Sequence, residues 1–185
     1  LGGLLGNLVL LALQAFLPEI ASEYGTLVSY PLMFIPAMLY ASAKSRFDEN
    51  FTPSVPVDSN RFGKLGGFAM AIVVSIATLA AAFVTDITTK LLPPMPDFLE
   101  ELMKQLLNAP LWITLISVSI FAPFFEEWLC RGMIMRGLLG KMNPTAAIII
   151  SAAFFALIHL NPWQAIPAFI LGLLFGFVYY KTGSL

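Results

Sequence analysis

The chain has 185 residues, 58% of them hydrophobic and only 11% charged, with a net charge of −1; soluble domains hold roughly 45–50% apolar and about 25% charged residues, so the composition excludes an ordinary soluble domain and places the chain in the lipid bilayer. Its ten Lys and Arg are scattered, which leaves no basic stripe to track phosphates and no nucleic-acid partner. One cysteine, Cys130, and one histidine, His159, exclude an internal disulfide and a zinc site of four Cys and His ligands.

The chain opens at Leu1, in an apolar run with no charged leader, so it does not read as a signal peptide and is expected to begin inside a span. That run, Leu1 to Leu17, ends at Pro18; at about 1.5 Å per residue it nearly crosses a hydrocarbon core of about 30 Å. Leu27 to Ala43 reads as a second span, with a kink expected at Pro31 and Pro36. Lys44 to Lys64 is polar, with Pro53, Pro56, Asp58, Ser59 and Asn60 supplying turn chemistry, and reads as an extramembrane loop. Leu65 to Val84 is a third span, dense in Ala and Gly. After Leu92-Pro93-Pro94-Met95-Pro96, an amphipathic helix begins at Asp97, with a capping box from Asp97 and Glu100 and an apolar stripe of Phe98, Leu99, Leu102, Met103, Leu106 and Leu107. It is read as lying at the membrane interface, or else as an ordinary packed surface helix.

Leu111 to Phe125 starts a fourth span, Thr145 to His159 a fifth and Ile166 to Tyr180 a sixth, the last carrying a Gly172-x-x-x-Gly176 spacing suited to close helix approach. The expected fold is therefore all-α, a polytopic transmembrane bundle of about six spans plus one interfacial helix. Alternating sides puts Lys44, Arg46, Arg61, Lys64, Arg131, Arg136, Lys141 and Lys181 on one side and Lys90 and Lys104 on the other. The positive-inside rule makes the first side, with loop 44–64 and turn 141–144, cytoplasmic, in a multi-pass protein of the cytoplasmic membrane.

Within the fourth and fifth spans stand Glu126, Glu127, Arg131 and His159. An ionisable group at membrane depth costs about 2.5–3.5 kcal/mol on insertion scales, so each is a functional candidate. Lys141 to Pro144 is a tight turn, and Glu126 and His159 lie equally far from it along the chain. In a helical hairpin both would sit about 24 Å from the turn, at one height. The fourth helix, reaching Gly140, would then be about 45 Å long and must tilt, break or project from the bilayer. Glu127 and Arg131, four residues apart, are about 40° apart around an ideal helix, a good ion-pair spacing, whereas Glu126 is turned about 100° from Glu127. That assigns Glu127 with Arg131 to scaffold and Glu126 with His159 to a half-site that activates water. The bland readings are a packing ion pair for Glu127 and Arg131, a satisfied core histidine for His159, and a small buried apolar residue for Cys130. Asn161, Trp163 and Gln164, after His159, are interface anchors or line the mouth of the site.

Glu126-Glu127-Trp128-Leu129-Cys130-Arg131 resembles the Glu-Glu-x-x-x-Arg motif, and Phe155-x-x-x-His159 the Phe-x-x-x-His motif, of the CPBP family of intramembrane proteases, which includes the type II CAAX prenyl endopeptidases and bacterial Abi proteins. Motif order and spacing, the preceding Ala122-Pro123, the later Gly172 and Gly176, and Lys181-Thr182-Gly183-Ser184 resemble the bacterial branch. The resemblance spans Asp97 to Leu185, which makes 97–185 a catalytic core and 1–96 a region of transmembrane helices and polar loop. It implies a membrane-embedded endopeptidase acting on a peptide or membrane-protein substrate, with Glu126 as general base, His159 positioning the water, and Glu127, Arg131, Phe155 and Asn161 in support. Members are often labelled metalloproteases. With a single His no metal or other cofactor is favoured, and a divalent metal such as zinc, if bound, would be held by Glu126 and His159. The family's third motif, His-x-x-x-Asn or Asp, is expected beyond Leu185. A form without that oxyanion donor is expected to lose on the order of 10²–10³ in rate. The competing functions are a non-catalytic immunity or interaction protein and a proton-coupled carrier.

Overall fold

A chain this apolar must satisfy its backbone polar groups internally, and helices do so within one segment. The structure, a computed structural model, describes residues 2–47, 59–106 and 109–185, and no strand occurs among them. Leu1, Pro53, Pro56, Asp58 and Leu107, which enter the sequence reading, lie outside the described residues. The helices are α1 (Gly2–Phe16), α2 (Pro18–Phe47), α3 (Gly66–Thr89), α4 (Asp97–Leu106), α5 (Leu111–Leu139), α6 (Pro144–Leu157) and α7 (Pro162–Thr182). The fold is all-α, as composition and periodicity require.

Six of these helices are the apolar ones expected, but their lengths divide them. The segment Gly63–Thr89 with α3, then α5 and α7, are long and apolar enough to cross a membrane, and α2 is a fourth if its two bent halves form one span. α1 and α6, expected as the first and fifth spans, have 15 and 14 residues, about 21–22 Å against a core of about 30 Å. α6 stops at Leu157 because the chain turns there: Leu160 takes a positive φ of 56°, which no right-handed helix continues. The third span instead outruns its expected end at Val84. The hydroxyls of Thr85, Thr88 and Thr89 bond back to carbonyls of their own helix at 2.8–2.9 Å, so the polar residues add no unpaired group.

Three local expectations change. α2 bends by 67° between Pro18–Gly25 and Leu27–Lys44, not at the prolines themselves; the ring of Pro31 clashes with the carbonyl four residues back, that of Leu27, so the distortion falls one turn upstream. At the start of α4 the Pro96 carbonyl accepts from Leu99 and Glu100 N–H at 2.9 and 3.1 Å. Pro96 therefore holds the capping position and Asp97 is the first helical residue, so the expected capping box gives way to a Glu100–Lys104 ion pair of 2.7 Å. α5 runs unbroken over 29 residues, but widens to π-helical turns at Ser117–Phe121 and Trp128–Met135, a feature frequent at functional sites.

The chain forms two compact units, each drawing on both halves of the sequence: Leu1–Asn50 with Met95–Leu129, and Phe51–Pro94 with Cys130–Leu185. In the first, α1 packs along α2 through glycines. A Cβ on Gly6 would meet Met33 Cγ and Ser29 O at 2.8 Å, and one on Gly25 would meet Leu10 Cδ1 at 2.6 Å. α2 also meets the first half of α5, with Phe34 and Phe125 stacked at 5.1 Å and Tyr24 edge-on to Trp112 at 6.0 Å.

In the second unit α6 and α7 form a hairpin, with α3 against α7. Asn143 caps α6 through Ala146 N–H at 2.9 Å, and Pro144 opens the helix where its missing N–H costs nothing. Met135, Leu139, Ala147 and Tyr179 are the core. The Gly172-x-x-x-Gly176 expectation is met: a Cβ on Gly172 would lie 3.0 Å from Ala152 Cα, and one on Gly176 3.1 Å from Ile148 Cγ2. The end of the polar loop closes on the C-terminus of α7, where Ser59 and Arg61 N–H donate to the Gly183 and Thr182 carbonyls at 3.2 and 2.7 Å. These carbonyls have no partner inside the helix, and Arg61 adds positive charge at its negative end.

Candidate functional site

Glu126 and Glu127 end the α-helical turn Ala122–Glu127 between the two widened stretches of α5, and both are half-buried. In the first unit the Tyr30 hydroxyl of α2 donates to Glu126 Oε1 at 2.9 Å. Tyr30 belongs to an aromatic group: its ring is 5.4 Å from Phe34 and 6.5 Å from Phe125. A charge-assisted hydrogen bond in apolar surroundings is stronger than the same bond in water. No spacing argument could find this partner, which lies 96 residues away in sequence.

In the second unit Arg131 is fully buried. Spacing assigns it to Glu127; the unit itself supplies contacts that spacing does not name. Its Nη2 donates to the Gly172 carbonyl at 2.9 Å, and its guanidinium carbon lies 4.9 Å over the Phe155 ring and 5.7 Å over that of Phe175. Desolvated cation–π contacts are worth about 2 kcal/mol or more. Cys130, also fully buried, accepts at its carbonyl from Ser151 Oγ at 2.9 Å, which suits the reading of a packed apolar residue.

His159 sits in the turn after α6, half-buried, with Nδ1 2.8 Å from the Phe155 carbonyl. A carbonyl only accepts, so Nδ1 carries the hydrogen and the neutral ring presents Nε2 as an acceptor. The Phe155 ring stands edge-on to the imidazole at 5.2 Å. Phe155 therefore touches both motif residues of this unit, Arg131 through its face and His159 through its edge and carbonyl. Asn161 is buried and caps α7: Oδ1 accepts from Gln164 N–H at 2.9 Å, while Nδ2 donates to Gln164 Oε1 at 2.7 Å and to the His159 carbonyl at 3.4 Å. Trp163 donates from Nε1 to the Pro93 carbonyl at 3.0 Å. Between His159 and Asn161, Leu160 holds its left-handed backbone with the side chain 92% exposed, a conformation the sequence does not announce.

Among the described residues no group of three or more His, Cys, Asp or Glu side chains is placed to hold a metal ion. Among these residues the donor set falls short of the three protein ligands usual for catalytic zinc.

An all-helical membrane protein thus carries acidic, guanidinium and imidazole groups in and beside its apolar helices. Residues 108–185 match the family model of the type II CAAX prenyl endopeptidases, Rce1-like, so this segment is similar to that family of membrane proteases. The match contains both motifs, Glu126 to Arg131 and Phe155 to His159. Comparison with curated proteins and with solved structures found no match.

Proposed function

We propose that the protein is an intramembrane endopeptidase in which Glu126 and His159 activate a water against a peptide bond of a prenylated or otherwise membrane-anchored peptide. The observation that carries this reading is the 2.8 Å contact of His159 Nδ1 with the Phe155 carbonyl, which in a neutral imidazole leaves Nε2 to accept from a water. The similarity of residues 108–185, which hold both motifs, to a CAAX-type protease family supports it.

In the reaction so read, the Glu126 carboxylate takes one proton from water while Nε2 of His159 holds the other hydrogen. The hydroxide adds to the scissile carbonyl carbon. Glu126 then gives its proton to the amide nitrogen as the C–N bond breaks, releasing an amine and a carboxylic acid, which loses its proton to solvent. Positioned acid–base groups of this kind contribute roughly 10²–10⁴-fold each. Phe155 orients His159, Arg131 and Glu127 hold the helices around the site, and Asn161 sets the turn that carries the imidazole.

The test uses the full-length protein in lipid nanodiscs and a quenched fluorescent peptide ending in farnesyl-Cys-aliphatic-aliphatic-X, with its unprenylated twin beside it. Cleavage by wild type, at least 100-fold slower in Glu126→Gln and His159→Ala as roughly expected for such groups, supports the reading. Full activity in Glu126→Gln sinks it, and equal cleavage of both peptides removes the prenyl requirement.

A further inference from the structure

We infer that Tyr30 is a positioning residue for the general base, fixing the Glu126 carboxylate through its hydroxyl. The inference deepens the proposed function and rests on it. Three observations carry it. The Tyr30 hydroxyl donates to Glu126 Oε1 at 2.9 Å, which anchors the carboxylate at one of its two oxygens. The donor is itself held rigid, with its ring against Phe34 and Phe125, which stack on each other at 5.1 Å. Tyr has only two side-chain torsions to fix, so this packing leaves the hydroxyl little freedom. Finally, Tyr30 stands on α2, outside the family-matched residues 108–185, so the amino-terminal helices supply a part of the site that the matched segment does not contain.

Removing this donor loosens the hold on the carboxylate, and misplacement of a reacting group costs rate rather than binding. Groups that orient a reactive side chain are worth roughly 10- to 100-fold where measured. Tyr30→Phe keeps the ring and its packing and removes only the hydroxyl. With the farnesylated peptide and the full-length protein in nanodiscs, the expected result is a kcat lowered roughly 10- to 100-fold, with KM and Tm close to wild type, because the interaction acts on the chemical step. Phe34→Leu loosens the same ring stack but keeps the hydroxyl, and its kcat should fall much less. The inference is overturned if Tyr30→Phe keeps wild-type kcat, if the loss appears in KM instead, if Tm falls in step with activity, or if Phe34→Leu loses as much. Glu126→Gln separates the two levels. Activity retained there removes the general base and Tyr30's role with it; an inactive Glu126→Gln beside a fully active Tyr30→Phe removes Tyr30 alone. Wild type that cleaves neither peptide removes both.

Discussion

The guanidinium of Arg131 lies 4.9 Å over the ring of Phe155, and the same residue accepts the Nδ1 hydrogen of His159 at its carbonyl. A fully buried cation and a candidate catalytic imidazole are thus tied to one phenylalanine. Packing around Arg131 should therefore be felt at His159.

Arg131→Lys keeps the charge but loses the planar fork that donates to the Gly172 carbonyl while facing Phe155. Hydrogen bonds to charged groups are worth about 1.5–3 kcal/mol, so the variant should be destabilised by about that much. A clear drop in Tm of the detergent-solubilised protein is the check; an unchanged Tm would show that the lysine recovers both contacts.

Gly172→Ala should cost more than Gly176→Ala. A Cβ at Gly172 meets backbone, Ala152 Cα at 3.0 Å, with Phe155 Cδ1 at 3.3 Å, whereas one at Gly176 meets the Ile148 methyl at 3.1 Å and the flexible Met135 sulfur at 3.6 Å. Overpacking of this kind costs about 1–3 kcal/mol. Paired thermal melts and peptide-cleavage rates should show Gly172→Ala losing both stability and activity, since the displaced Phe155 carries His159.

Leu160→Gly should stabilise the turn between α6 and α7. Leu160 has φ 56° with its side chain 92% exposed, so the left-handed penalty of about 1–2 kcal/mol is relieved with no packing lost. The greater freedom of Gly in the unfolded chain gives back about 0.4–1 kcal/mol. The net expectation is a small rise in Tm with the cleavage rate preserved; a lower Tm would mean that the exposed leucine makes contacts in the bilayer.

On α4, outside the candidate spans, the hydrogen bond and charge of Lys104 hold the Glu100 carboxyl below its usual range. A depressed folded-state value means that the pair supports the helix above the ordinary carboxylate pKa and ceases to as pH falls through the lowered one. NMR titration of Glu100 should show its midpoint return to the ordinary carboxylate range in Lys104→Met. An identical midpoint in both proteins would show the pair absent in solution.

The helical periods, Pro144 at a helix start, and the spacing of Gly172 and Gly176 were all readable because each depends on neighbours within one or two turns. The same is true of the two motifs, which the family match contains. Helix ends were less readable. Threonines that bond back to their own helix extended α3 beyond Val84, and a left-handed Leu160 cut α6 short. Apolar runs announce that a helix is apolar, while its length depends on where backbone groups find other partners. Asp97 read as a cap for the same reason: Ser, Thr, Asp and Asn mark helix starts, but here a proline carbonyl one residue earlier takes the first bonds.

Composition alone determined that this is a helical membrane protein, because a chain so poor in charge can satisfy its backbone in lipid only through local hydrogen bonds. Local spacing then singled out Glu126, Glu127, Arg131 and His159, whose ionisable groups are costly wherever they sit in an apolar helix. What holds them was decided only by the tertiary structure: Gly172 and Phe155 for Arg131, the Phe155 carbonyl for the tautomer of His159, and Tyr30 for Glu126. For Arg131 and Glu126 these are contacts between residues far apart in sequence, set by how helices pack. The His159 bond, though local, depends on the turn that ends α6.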